Sequence, residues 1–382
     1  MNEKLIIVGG GFSGLFLGSL LRGNAIILEE HSRIGFPEHC AGIISPLTFK
    51  LLNIPSSLIE SKFYYMNIHI GDSTITWSGE PLALKLDRVN LESYLLDRCL
   101  KNGVDVKFKT RVLDLNENGA VVTDRGLFRS GLVILAEGSK RTFSRKIGLV
   151  KHCKDIIGLQ ARLKCKVYTE AIHVFPCTYS ENFFSWLIPI KEVGEAVVGV
   201  GGRRKSHLKM YLKGLIKNLE RIKLIDQSKI IRLFGGIIIR GPVGKLSKGR
   251  ILGIGDAVQM SKPISGGGLY PIAVASKLLA DKLNLYLDNR LNWFEVLNKY
   301  ETDIKSLIKS LKYSHILSEF LFKYNCKFLR KILEGMIKLN LSHDILGKID
   351  YDEHFISLIR ESLNLKYQLN MAGIMVLSLL KR

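Results

Sequence analysis

The sequence predicts an α/β chain of mixed (α+β) make-up: a βαβ nucleotide-binding unit, an inserted antiparallel sheet and a helical C-terminal region. Three observations predict it. A glycine-punctuated strand–helix–strand pattern opens the chain. Two further apolar strands, far downstream, end in turns that pair glycine with an acid. The segments between them carry hairpin and strand patterning, and the last hundred residues repeat apolar positions at helical spacing. A length of 382 residues allows two or three domains, at roughly 100–200 residues each. The 47% apolar content supports a large core, and the net charge of +21 attracts anions without choosing among them.

The first element is "KLIIV", a buried-strand pattern, followed by Gly9, Gly10, Gly11 and Gly14 and then the helical "LFLGSLL". The apolar run Leu5–Leu21 superficially resembles an export signal, but its glycines break the continuous helix such a signal needs. Gly9, Gly11 and Gly14 spell G-x-G-x-x-G, and "AIILEE" reads as a second strand ending in Glu29 and Glu30. This is the dinucleotide fingerprint in the context it requires. Gly9 is expected to permit a tight turn, Gly11 a close approach of backbone to pyrophosphate, and Gly14 close helix–strand packing. Phe12 and Ser13 open the helix, whose N-terminus offers unpaired N–H groups and partial positive charge to an anion. Glu29 can accept hydrogen bonds from an adenosine ribose.

Downstream, Leu132–Leu135 is an apolar strand running into Ala136-Glu137-Gly138, and Ile251–Ile254 is another ending at Gly255-Asp256. A loop with Pro263, Gly266, Gly267 and Gly268 follows, then a long helical pattern from Leu269. Together these segments resemble the flavoprotein hydroxylase/reductase superfamily. The resemblance implies a Rossmann-like FAD-binding domain in which Asp256 holds the ribityl chain and the glycine loop lies against the isoalloxazine. The helix from Leu269 would direct its positive end at the flavin. It implies further cofactor contacts at Ala136 and Gly138, and at Arg88, which matches an arginine opening a helix beside the cofactor. No second G-x-G-x-x-G follows a strand, since "VVGVGGRR" lacks the spacing. A dedicated nicotinamide domain is therefore not expected.

Two further stretches narrow the resemblance. "RIGFPEHCAGIISP" contains Cys40-Ala41-Gly42 and resembles the cysteine loop of geranylgeranyl reductases, with Ala41 a departure. "ENFFSWLIPI" resembles that family's aromatic strand motif, Pro-x-x-Tyr-x-Trp-x-Phe-Pro. Trp186 and Pro189 match it, while Phe184 replaces Tyr, Ile188 replaces Phe and Glu181 stands at the first Pro. The resemblance covers residues 1 to about 285. It implies FAD-dependent hydrogenation of a prenyl chain, with Cys40, Ala41 and Gly42 at the cofactor and Phe184, Trp186 and Pro189 at the substrate. Cys40 is the candidate catalytic residue, delivering a proton or gating the flavin; its residue-level alternative is a small buried hydrophobe. For the aromatic strand the alternative is ordinary sheet core. The implied partners are an isoprenoid lipid and an external donor, NAD(P)H or ferredoxin. An FAD monooxygenase, a quinone-linked dehydrogenase, and a flavin-fold RNA-binding or lipid-carrier protein stay open.

The expected FAD-binding domain is discontinuous, 1–50, 82–150 and 245–285. Residues 51–81 and 151–244 form the sheet domain, the former with a hairpin over Phe63–Trp77 turning at Gly71-Asp72, and 286–382 form the helical region. Fourteen of the Lys and Arg residues fall in 203–250, against Glu220 and Asp226 alone. Lys205, Lys209, Lys213, Lys217 and Arg221 make a basic ridge beside a Leu208, Leu212, Leu215 and Leu219 stripe. Such a ridge fits a lipid phosphate, an anionic membrane surface or an acidic donor; it lacks the aromatic interleaving expected for nucleic acid. "MAGIMVLSLL" is too short to span a bilayer but can lie on one, so the expected location is cytoplasmic with peripheral attachment at the inner face. The six cysteines form no C-x-x-C pair, so no metal site and no disulfide is expected.

Overall fold

A computed structural model describes residues 2–151, 155–323 and 350–353. The chain forms two compact units. The first is built from Met1–Glu38, Asp87–Lys154 and Ile239–His315, the second from His39–Leu86, Asp155–Ile238 and Ile316–Arg382.

The first unit holds a mostly parallel sheet. Its order is Ser247–Lys248, Ile251–Gly253, Gly126–Leu135, Asn2–Val8, Ala25–Leu28, Asp105–Lys107. The four central neighbour pairs are parallel, and Val112–Leu115 with Ala120–Thr123 adds an antiparallel flap to Gly126–Leu135. Parallel strands covered on both faces need continuous apolar runs. Leu5, Ile6 and Ile7, and Leu132 to Leu135, meet that need and are fully buried. Helices Phe12–Gly18, Arg88–Lys101 and Leu269–Leu287 belong to the same unit. Helix Trp293–Asp303 starts with a capping box between Asn292 and Glu295.

The second unit holds a sheet ordered Ile225–Ile238, Ile156–Val167, Glu195–Gly202, Phe184–Ile190, Ile172–Pro176, Ile59–Ile70, Ser73–Leu86, Ile43–Ile44. The hairpin turns at Gly71-Asp72, between Ile70 and Ser73. All neighbours are antiparallel except Ile172–Pro176 on Ile59–Ile70. Those two strands come from separate insertions, so no tight turn dictates their direction. One sheet face is covered by helix Lys205–Arg221, whose Leu208, Leu212, Leu215 and Leu219 pack with Ala161, Leu163, Val198 and Val200. Another buried cluster gathers Phe63, Trp77, Phe183, Trp186 and Phe322.

The terminal "MAGIMVLSLL" lies outside the described residues. Among the described residues no helix is long and apolar enough to cross a membrane. Cys177 is disulfide-bonded, which corrects the expectation of a chain without disulfides; the other half lies outside the described residues. Pairing between distant cysteines depends on tertiary approach, which spacing alone does not reveal.

Candidate active site

The glycine turn is shaped by what its missing side chains would strike. Gly9 has φ +106°, and a Cβ there would lie 2.5 Å from the Ala136 carbonyl oxygen. A Cβ on Gly14 would lie 2.0 Å from the Gly9 carbonyl oxygen and 3.3 Å from Ile7 Cγ2. These two positions are closed by packing. Gly11 differs: it caps helix Phe12–Gly18 with ordinary φ −77°, and a Cβ there would meet nothing within 4 Å. The turn is thus pulled tight from behind and open in front, which is the shape an incoming pyrophosphate needs.

Glu29 follows the second strand and is buried at 7% exposure. Its carboxylate accepts from the Gly10 N–H at 2.7 Å and the His31 N–H at 2.8 Å. Two backbone donors fix it at the strand end. Glu30 instead pairs with Lys140 at 2.9 Å, and that hydrogen bond holds its carboxyl below the ordinary range. Ala136 is buried and supplies the carbonyl behind Gly9, whereas Gly138, at φ +69°, faces open space. Between them Glu137 accepts from the Phe143 and Ser144 N–H groups, at 3.0 and 2.7 Å, and so caps helix Thr142–Lys146.

The Asp256 turn reaches the same place. Gly255 has φ +65°, and a Cβ there would lie 2.3 Å from Ser13 Oγ and 3.1 Å from Ile272 Cγ1. The turn is therefore wedged between the glycine-turn helix and helix Leu269–Leu287. Asp256 Oδ1 lies 3.5 Å from the Cβ position of Gly268, the residue capping that helix without a side-chain hydrogen bond. Arg88 opens its own helix, pairs with Glu92 at 2.5 Å and sits 5.3 Å over the Phe12 ring.

Two buried cations, Lys262 at the start of the Pro263–Gly268 loop and Arg240 bonded to it, carry no mark in the sequence. Arg240, 2% exposed, donates through Nε to the Pro263 carbonyl at 3.2 Å. Lys262, 4% exposed, closes the loop through its backbone, accepting from Gly266 N–H at 2.7 Å and donating to the Gly267 carbonyl at 3.0 Å. Its Cε lies 2.9 Å from the Cβ position of Gly267. No periodicity announces a buried lysine; only its place beside the glycines could have raised the question.

Cys40, Ala41, Gly42, Phe184, Trp186 and Pro189 all belong to the second unit. Cys40 is exposed, so it is not the small buried hydrophobe offered as an alternative. Its Sγ accepts from Gly42 N–H at 3.4 Å. Ala41 packs on the aromatic cluster, as does Tyr351. Loss of hydration pushes the Tyr351 phenol up, and the charges of Asp352 and Cys40 push the same way. Trp186 lies flat over Gly199, its cross-strand partner, with ring atoms 2.3 Å from where a Cβ would be. Phe183 fills the space over Gly201 in the same way. Phe184 stacks on Phe183 at 4.1 Å between centroids. Pro189 is buried opposite Ala196, on the sheet face covered by helix Lys205–Arg221 and away from Phe184 and Trp186. This corrects the expectation that all three share one substrate wall, because successive strand residues point to opposite faces. The Trp77 and Trp186 indole N–H groups are buried without a hydrogen-bond partner.

With this geometry in place, comparison with known proteins is informative. No family model matches the chain. An uncharacterized protein of Methanocaldococcus jannaschii is 26% identical over 89% of both chains. Digeranylgeranylglycerophospholipid reductase 2 of Methanothermobacter thermautotrophicus is 26% identical, over 83% of this chain and 88% of its own. Among solved structures, a geranylgeranyl bacteriochlorophyll reductase-like protein of Thermoplasma acidophilum has the same fold. Its TM-score is 0.80 at 22% identity, over 98% of this chain and 99% of its own. The chain is thus similar in sequence to proteins named as digeranylgeranylglycerophospholipid reductases and shares the fold of a geranylgeranyl reductase-like protein. The fold is shared more widely: p-nitrophenol 4-monooxygenase of Pseudomonas putida has a TM-score of 0.70 at 17% identity, over 95% of this chain and 98% of its own.

The residues present suit FAD on structural grounds. The front of the Gly11 turn is open, Glu29 presents a fixed carboxylate, and the Asp256 turn reaches the glycine turn at Ser13. A dinucleotide needs such a polar, glycine-lined track.

Proposed function

We propose that this protein is an FAD-dependent oxidoreductase of geranylgeranyl reductase type, which hydrogenates C=C bonds of a prenyl chain in an isoprenoid lipid or its precursor. The observation that carries the reading is the meeting of the Gly9–Gly14 turn with the Gly255-Asp256 turn, at Ser13 and Gly255. The relatives named as digeranylgeranylglycerophospholipid reductases support the substrate class.

Bound and reduced, FAD supplies a hydride to one alkene carbon. The chain's residues do the rest. Backbone N–H groups of the Gly11–Gly14 turn would hold the pyrophosphate, and Glu29 would accept from the ribose hydroxyls. Asp256 would accept from the ribityl hydroxyls, and the Pro263–Gly268 backbone with the start of helix Leu269–Leu287 would hold the ring system. Arg88 steadies Phe12 at the helix entrance. Phe184 and Trp186, on one face of their strand, would form an apolar wall for the prenyl chain and exclude water from it. The Cys40 thiol would deliver a proton to the second alkene carbon and be reprotonated from solvent, so that hydride and proton together would add H2 across the bond. An isolated alkene is a weak electrophile, so positioning supplies much of the rate. The electrons come from NAD(P)H or a ferredoxin docking transiently.

The test is anaerobic turnover of the FAD-reconstituted protein with a geranylgeranyl lipid and a chemical reductant. A gain of about two mass units per reduced bond is expected. Oxygen consumption coupled to substrate, with one oxygen atom appearing in the product, would assign a monooxygenase instead. A preparation that stays colourless with FAD would end the redox reading.

A further inference from the structure

The redox chemistry leaves unused a concentrated positive charge in residues 203–250. Helix Lys205–Arg221 turns its four leucines onto the sheet. Lys205, Lys209, Lys213, Lys217 and Arg221 are all exposed along its outer side. Like charges four apart on a helix repel, and here nothing on the helix but Glu220 opposes them. Glu220 is engaged elsewhere, accepting from Ser228 Oγ at 2.6 Å.

Beside this helix runs the edge strand Ile225–Ile238, paired among the described residues with Ile156–Val167 alone. The register sets Ile230 opposite Leu163, Leu233 opposite Ala161 and Ile237 opposite Ile157. Residues directly opposite on an antiparallel pair point to the same side. Ala161 and Leu163 lie under the basic helix, with Ile157 packed against the same cluster. Ile230, Leu233 and Ile237 therefore face the helix side of the sheet. Yet they are 49%, 49% and 40% exposed, and Ile231, beside the register shift, is 53% exposed. The helix covers the sheet up to this strand and leaves its aliphatic strip open.

We infer that this side of the second unit is a docking surface for an anionic lipid bilayer. Lysines of the ridge would meet lipid phosphates, and the aliphatic strip would enter the boundary between headgroups and acyl chains. An exposed edge strand also invites pairing with a second copy of the chain. Such pairing would set two basic ridges side by side, whereas an anionic membrane satisfies the charge and the aliphatic strip together. RNA would use the charge but not four aliphatic side chains, and the strip offers no aromatic ring for a base to stack on. The inference deepens the proposed function without depending on flavin chemistry, because an isoprenoid lipid substrate resides in a membrane.

The experiment is vesicle co-flotation of the full chain. Expected are binding to phosphatidylcholine vesicles containing about a third phosphatidylglycerol, no binding to pure phosphatidylcholine, and release at about 0.5 M salt. Lys209→Glu/Lys213→Glu/Lys217→Glu should lower partitioning at least 100-fold, and Ile230→Ser/Leu233→Ser several-fold at unchanged charge. Both variants alter exposed side chains, and unchanged thermal melting is the control for folding. Should the serine variant melt early, a polarity-sensitive dye on Leu233→Cys replaces it, with a blue shift on anionic vesicles expected. Binding that ignores the triple variant overturns the inference. So does a wild-type dimer in light scattering that Leu233→Ser dissolves, or tighter binding to polyuridylate than to vesicles. Prenyl reduction could fail its own test with these outcomes unchanged, so the two readings fall separately.

Discussion

At the scale of single residues, the three fingerprint glycines do different jobs, and substitution separates them. Gly14→Ala pushes a methyl group into the Gly9 carbonyl oxygen, 2.0 Å away. It is expected to cost about 1–3 kcal/mol of stability and to abolish flavin binding with it. Gly11→Ala meets open space at an ordinary φ. It should change stability by no more than about 0.5 kcal/mol while weakening FAD binding at least tenfold, as its methyl occupies the front of the turn. Thermal melting together with flavin fluorescence titration checks both. Equal loss of stability in the two variants would contradict the division of roles.

A second residue-scale prediction concerns His173. It is buried, with Nδ1 2.8 Å from His69 Nε2 and Nε2 2.8 Å from Thr169 Oγ1. Burial, and then the neighbouring His69, lower its pKa from 6.5 to about 4. The folded state keeps this imidazole neutral where the unfolded chain takes up a proton. Its contribution is therefore complete above pH about 6.5 and lost as pH falls towards 4. The full swing is roughly 3 kcal/mol. Urea unfolding between these limits should show stability falling with acidity, and His173→Phe should flatten that slope.

Among the elements, helix Lys205–Arg221 shows how one sequence pattern carries two meanings. Its inward stripe is structural: Leu215 is fully buried and Leu212 nearly so. Leu212→Ala should cost about 2–5 kcal/mol, whereas Lys213→Ala on the outer side should stay within about 0.5 kcal/mol. Denaturant titration distinguishes them. Strand Glu195–Gly202 makes a different point. Gly199 and Gly201 leave room for the faces of Trp186 and Phe183. Gly199→Val would expel the indole, with loss of near-ultraviolet circular dichroism. If Trp186 walls the prenyl site, KM for the lipid should rise more than kcat falls. In the sequence "VVGVGGRR" could only be recognised as a failed nucleotide motif, because its glycines answer aromatic rings on the neighbouring strand rather than a phosphate.

Taken as a whole, the molecule separates two sheets into two units with their own cores. The unit with the parallel sheet carries the first and last glycine motifs, and the unit with the largely antiparallel sheet carries the cysteine loop and the aromatic strand. FAD binding only to the folded state should raise the melting temperature, by about 2.7 kcal/mol of stabilisation at a free concentration a hundred times Kd. An unchanged melting curve at saturating FAD would mean that no such site forms.

The sequence by itself determined the glycine turn, the strand ends at Glu29 and Asp256, the hairpin at Gly71-Asp72 and the amphipathic basic helix. Each is a local demand: a positive φ, a capless helix start, a two-residue turn or a repeat of apolar positions is written within a few neighbouring residues. Tertiary structure alone decided that Arg240 and Lys262 are buried, that Trp186 lies over Gly199, that His69 meets His173, and that Ile230 and Leu233 face the basic helix. These depend on the register of strands distant in the chain, where a shift of one residue would turn every side chain to the opposite face.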